Sequence, residues 1–128
     1  MAKPDTFTMA TGTIAAGTSI TGPIDCSAGV PVMLVMPPDW DYAPISFQVA
    51  IEGYVDYVDV FDSGVEQVVL EVMPGGRESG TGYIIPPGVL DWAQWIKVRS
   101  GTRSDPVDQS ADRTFSVVLA VFSVVLAE

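Results

Sequence analysis

Apolar and polar residues alternate with a period of two along much of the chain, most clearly in Ile45-Ser46-Phe47-Gln48-Val49-Ala50-Ile51-Glu52. That period is the mark of a β-strand, because successive side chains leave opposite faces of the pleat. Ile45, Phe47, Val49 and Ile51 are therefore expected in a core, with Ser46, Gln48 and Glu52 on a wet face. Seven further stretches rich in Val, Ile, Thr, Tyr and Phe predict strands over 6–15, 30–36, 54–61, 66–72, 82–85, 92–99 and 113–119. Turn signals separate them: Ile51-Glu52-Gly53, Asp62-Ser63-Gly64, Met73-Pro74-Gly75-Gly76, Pro86-Pro87-Gly88 and Ser100-Gly101-Thr102. Asp62-Ser63-Gly64 suits a hairpin, since Gly tolerates the positive φ such turns require. With 10 Pro and 12 Gly spread along the chain, no stretch offers the roughly 10 to 12 residues of an ordinary helix. The pattern predicts an all-β fold, an antiparallel β-sandwich of about eight strands. A jelly roll is one topology that fits, and periodicity does not choose among them.

The length of 128 residues fits one domain over 1–128, with 1–5 expected as a flexible N-terminal arm and 120–128 as an apolar tail. Apolar residues make up 48% of the chain and charged residues 17%, so it is expected to fold despite a net charge of −10. Six basic residues against 16 acidic ones oppose binding to nucleic acid or an anionic membrane, where each phosphate contact begins with repulsion. The absence of His removes Ser-His triads, His-based zinc sites and His acid–base pairs. Cys26, the single cysteine, has no thiol to pair with and no basic neighbour to make a thiolate, so it is expected as a small loop or core residue. Met1-Ala2-Lys3-Pro4-Asp5 has no apolar stretch behind its charge and does not read as a signal peptide. The expectation is a non-enzymatic protein without cofactor or metal, made in a reducing cytoplasm.

The carboxyl end repeats itself: Phe115-Ser116-Val117-Val118-Leu119-Ala120 recurs as Phe122-Ser123-Val124-Val125-Leu126-Ala127. In a strand, a shift of seven moves each repeated side chain to the opposite face. Residues 115–127 fall short of the about 20 apolar residues that span a bilayer as a helix. An apolar terminal strand invites pairing, so the second copy, with Phe122 and Val124, is expected against a neighbouring chain, and ending the chain after Ala120 is expected to weaken assembly.

Charge is uneven. Residues 1–78 hold 11 acids and 2 bases, and residues 79–128 hold 5 acids and 4 bases. Asp56, Asp59 and Asp62 recur every third residue, which on a strand alternates faces and makes no metal cage; Asp39 and Asp41 flank Trp40 without an EF-hand pattern. Gly75 to Gly82 is glycine-rich but lacks a phosphate-loop ending, and is expected as a mobile hairpin tip. Lys97, Arg99 and Arg103, followed by Arg113, form the only positive region, a candidate contact for an acidic partner surface or an ordinary charged strand face. Trp92 and Trp95 lie three apart and so on opposite faces of a strand. One of them, beside Asp91 and Gln94, could stack on a sugar, although Trp is more often core or interface. The candidate partner or glycan contacts are thus Trp40, Trp92, Trp95, Lys97, Arg99, Arg103, Phe122 and Val124.

Taken together, Val32-Met33-Leu34-Val35-Met36-Pro37-Pro38-Asp39-Trp40, Pro44-Ile45-Ser46-Phe47-Gln48-Val49 and Ile84-Ile85-Pro86-Pro87-Gly88 give the chain a family likeness. With Ile96-Lys97-Val98-Arg99-Ser100-Gly101-Thr102 and Gln109-Ser110-Ala111-Asp112-Arg113-Thr114, it resembles small virion proteins of tailed bacteriophages, of the head decoration (cement) type, over about residues 10–119. The repeated tail departs from that pattern. The resemblance implies a structural protein on the outer capsid surface that binds the major capsid protein and stabilises the particle, as a homo-oligomer with a trimer favoured. The alternatives are a carbohydrate-binding sandwich on a tail or fibre, or a tail or neck component.

Overall fold

A computed structural model describes residues 4–37, 40–41, 43–50, 57–62, 65–66, 68–72, 81–85, 90 and 93–122. Among them are eleven strand segments: β1 (Thr6–Ile14), β2 (Ile24–Asp25), β3 (Val30–Met36), β4 (Ala43–Ala50), β5 (Val58–Asp59), β6 (Phe61–Asp62), β7 (Val65–Glu66), β8 (Val68–Val72), β9 (Thr81–Ile84), β10 (Trp95–Ser100) and β11 (Arg113–Val121). No helix occurs among the described residues.

Every ladder is antiparallel. One sheet has the order β1-β11-β3-β9; the other runs β2-β10-β4, with β5 and β8 both pairing to β4. Because β10 already pairs with 45–50 of β4, β5 (on Gln48 and Val49) and β8 (on Ala43, Pro44 and Ser46) must share the opposite edge of β4. They occupy one strand position, interrupted by the β6–β7 hairpin, in which Phe61 pairs with Glu66 and Asp62 with Val65. Counted by position, the described residues form eight strands, the number expected, with the stretches expected over 54–61 and 66–72 sharing one position and β2 making up the eighth. The chain passes from one sheet to the other at β1, β2, β3 and β4, and again at β9, β10 and β11. That path, with these strand orders, is a jelly roll.

β6 and β7 pair on either side of the Asp62-Ser63-Gly64 signal, each two residues long, with Ser63 and Gly64 outside the described residues. The strand expected over 54–61 is reduced among the described residues to β5 and β6, and 51–56 lie outside them. Of the strand expected over 92–99, β10 begins at Trp95, and Trp92 lies outside the described residues; the Ala93 N–H donates to the Leu90 carbonyl at 3.1 Å. The two residues of β2 were too few to leave a periodic signal.

The inner faces of the two sheets supply the core: Ile14, Leu34, Phe115, Val117 and Leu119 from the first, Ile24, Ile45, Phe47, Val49, Ile96 and Val98 from the second. The alternation in β4 thus has the expected parity. Its other face is not wet throughout, because Ser46 is fully buried beneath the Arg99 side chain, which bonds to it. Trp40 closes one end of the core, its ring edge-on to Phe115 at 5.5 Å and 60°.

At that end a buried glutamine joins four parts of the chain. Gln109 Nε2 donates to the Asp41 carbonyl (3.1 Å) and to Ser100 Oγ (2.8 Å). Its Oε1 accepts from the Asp41 N–H (2.9 Å) and Arg113 Nε (3.1 Å). Its backbone N–H and C=O bond to Thr18 and Gly17. A buried amide with its hydrogen bonds made is stabilising, whereas one removed strands its partners. Nearby, Gly101 has φ +95, and a Cβ there would lie 2.4 Å from the Asp105 carbonyl oxygen.

Two stability predictions follow from this corner. Gln109→Leu, near in volume but unable to hydrogen-bond, should lower unfolding free energy by about 2–4 kcal/mol. Gly101→Ala should cost about 2 kcal/mol or more through backbone strain and overlap. Urea titrations should show lower midpoints at an unchanged slope. A midpoint equal to the parent's for Gln109→Leu would mean that the amide contributes nothing net.

Candidate functional site

The outward face of the second sheet gathers three of the four basic residues among those described, Lys97, Arg99 and Arg103. Along β10, Ile96, Val98 and Ser100 point inward and buried, so Trp95, Lys97 and Arg99 point outward. Register places Asp25 and Ala50 beside Trp95, Gln48 beside Lys97 and Ser46 beside Arg99, with Asp59 next to Gln48. Arg103, from the turn after β10, reaches the same place.

Here the charges are satisfied within the chain. Arg99 is buried, its Nη2 is 2.8 Å from Asp59 Oδ1, and its Nε donates to Ser46 Oγ at 2.9 Å. Ser46 Oγ in turn donates to the Gly101 carbonyl at 2.7 Å. Asp59 also receives Arg103 Nε at 3.3 Å and Gln48 Nε2 at 3.3 Å. Lys97 Nζ lies 4.5 Å from the centroid of the Tyr57 ring, a cation–π contact. The positive cluster inferred from sequence is therefore real in space. Its buried member, Arg99, fastens β10, β4 and β5 together, and Arg103 is its exposed member.

Arg113 also turns inward. Its Nη2 lies 3.4 Å from Asp41 Oδ1 and 3.3 Å from Ser110 Oγ. The Asp41 carboxylate accepts from the Ser110 N–H, and hydrogen bonding to Ser110, with Arg113 adding to it, holds its carboxyl below the usual range. Asp41 and Asp59 are thus engaged by cations and amides. Asp39 and Asp56 lie outside the described residues, and among the described residues no group of Cys, Asp and Glu is placed to hold a metal ion.

Trp40 requires a correction as a contact residue. It is 3% exposed, and its Nε1 donates to the Ala43 carbonyl at 3.2 Å; its bulk fills the space over Phe115. Trp95 stays half-buried on the outward face, whereas Trp92, Asp91 and the glycine-rich 73–80 lie outside the described residues, as does Val124. Cys26 is buried, and burial with the nearby Asp25 charge pushes its thiol up to about 12, which keeps it protonated and unreactive.

Sequence reasoning missed a second surface, the outward face of the first sheet. All four of its strands lack charged residues except for Arg113 at the start of β11. Register aligns Met9, Val118, Met33 and Ile84 in one row across β1, β11, β3 and β9. Phe7 and Ala120 form the next. Phe7, Met9 and Ile84 are 61%, 63% and 66% exposed. Toward the other end the face turns to hydroxyls, with Thr13 and Thr114 bonded at 2.9 Å. The available signal was the lack of charge over 6–24, 26–38, 79–90 and 114–127. Phe122 is exposed just past β11, opposite in parity to the buried Phe115.

Two outcomes test this account of the charges. Asp59→Ala strands the buried Arg99 and should cost about 3 kcal/mol, with much of the loss regained in Asp59→Leu/Arg99→Met, while Arg103→Ala should cost under about 1 kcal/mol. For Asp41 the folded carboxyl titrates below the unfolded one. Its stabilisation is therefore complete above the ordinary aspartate value, about 3.9, and is lost as pH falls through the folded value. Asp41→Asn should flatten acid unfolding below about pH 4; equally steep acid profiles in parent and variant would contradict this.

Comparisons with protein-family models, with curated proteins and with solved structures found no match for the chain.

Proposed function

We propose that the chain is a structural virion protein of a tailed bacteriophage, of the decoration or cement type. In this reading it binds the assembled capsid from outside, against the major capsid protein, and reinforces it as a homo-oligomer, with a trimer favoured. The observation that carries the reading is the partition of charge between the two sheets. One sheet is nearly free of charge and presents Phe7, Met9 and Ile84 to solvent, while the other holds Asp25, Asp59, Lys97 and Arg99. Exposed apolar rows on a soluble domain mark an interaction surface. Acidic groups elsewhere keep unassembled copies apart. The sequence resemblance to phage decoration proteins points the same way, and the inward-turned arginines favour assembly through apolar contact over electrostatic docking.

Incubation with expanded tailed-phage capsids lacking their decoration protein, followed by sedimentation and capsid melting, tests the reading. Saturable binding and a higher capsid melting temperature are expected, because a ligand of the native particle stabilises it. An apolar interface should also survive about 1 M salt, where the screening length falls to about 3 Å. No binding to any such capsid, with retention on a glycan array, would replace this reading by the carbohydrate-binding one.

A further inference from the structure

We propose that the open edge of β1 accepts, as an added antiparallel strand, residues 122–127 of a neighbouring copy of the chain. Among the described residues β1 is paired on one side only. It is 9 residues long, uncharged and without proline, and its register with β11 runs unbroken from Thr6 to Ile14. Edges of soluble proteins are usually blunted by Lys, Pro, a bulge or brevity, and β1 has none of these.

The occupant is indicated by what β1 already holds. On its paired side lies the first copy of FSVVLA, with Phe115 opposite Gly12, Val117 opposite Ala10, Leu119 opposite Thr8 and Ala120 opposite Phe7. The chain carries an identical six-residue segment at 122–127, so a sequence that fits one edge of β1 is available for the other. In the same register Phe122, Val124 and Leu126 of the donor would face as Phe115, Val117 and Leu119 do. They would extend the core layer past Ala10, which is already partly buried against it. Val125 and Ala127 would lengthen the outer rows of Met9 and Phe7.

In this register the segment does not reach that edge within its own chain. Val121 lies opposite Thr6, so residue 122 starts one peptide step, about 3.8 Å, from there. To lie antiparallel in this register it must start opposite Gly12, roughly 20 Å away along the strand. A donor chain has no such restriction. Charge agrees: in a chain of net charge −10, neither 6–14 nor 122–127 contains a charged residue. Donation from one copy to the next is a head-to-tail contact, which closes into a ring when the rotation permits.

The inference does not rest on capsid binding. Thr8→Cys and Leu126→Cys chains, prepared separately and mixed under oxidising conditions, should form a disulfide-linked pair, since directly opposed strand residues lie within disulfide reach; native Cys26 is buried. Thr8→Cys mixed with Ser123→Cys should not. The full chain should sediment as an oligomer, and a chain ending at Val121 as a monomer of similar melting temperature. The proposal is overturned by the absence of a link in the first mixture, by Thr8→Cys linking only to itself, or by equal sizes for the full and shortened chains. A chain that binds capsids yet gives those results loses this inference and keeps the proposed function.

Discussion

From Val117 onward both faces of β11 are apolar, and the rest of the molecule is arranged around that constraint. Phe115, Val117 and Leu119 point into the core, while Val118 and Ala120 point outward beneath the exposed rows. A strand of this kind must be flanked on both edges and covered on both faces. Its edges are taken by β1 and β3, and its inner face by the second sheet and Trp40. Each large side chain so buried contributes roughly 1.5–3 kcal/mol relative to exposure. The start of the strand is where apolar and polar order meet. Arg113 opens β11 inside the Gln109–Asp41 network, and Phe115, two residues on, lies under Trp40. The loop that brings Trp40 over the core is therefore held by the same residues that align β11.

The second sheet solves a different problem. Arg99 stands on the outward side of a central strand, between β4 and β2, and is buried there. A buried guanidinium is tolerable only when paired and hydrogen-bonded. Asp59 and Ser46 supply this, and because Asp59 sits on β5 while Ser46 sits on β4, the ion pair also sets the register at an edge interrupted by the β6–β7 hairpin. The first sheet is aligned by backbone ladders, unbroken between β1 and β11 and shifted once between β11 and β3; the second is aligned in part by charge. That division explains why the one could lose its charged residues and the other could not.

Much of this was legible in the sequence. Alternation located β4, and the β-branched, apolar make-up of their stretches located β3 and β11, each to within a few residues, while the Asp62-Ser63-Gly64 signal lies between the paired β6 and β7. Seven of the eight strand positions, and the absence of helices among the described residues, followed from the same pattern. Four things were not legible. β2 is too short to be periodic. Ser46, an ordinary polar position by alternation, is buried because Arg99, 53 residues away, folds over it, and a pairing at that distance leaves no local trace. Trp40 stands among prolines and aspartates, which carry no sign of its burial. Its burial is set by Phe115, far along the chain. The charge-free first sheet was visible only once strand order was known, since its strands are dispersed over residues 6–121.

The spacing of the repeat bears on how such a sheet can grow. Seven residues would return a side chain to nearly the same face of a helix; in a strand they reverse it. Continued straight past Val121, the second copy would turn Phe122, Val124 and Leu126 to the side of Val118 and Ala120, adding large apolar groups to a face that already exposes Phe7 and Met9. Started afresh as a separate strand, the same residues regain the parity of Phe115, Val117 and Leu119 and can face a core. The odd spacing therefore sets intramolecular continuation against the burial of its own side chains, and favours use of the second copy as a strand in its own right.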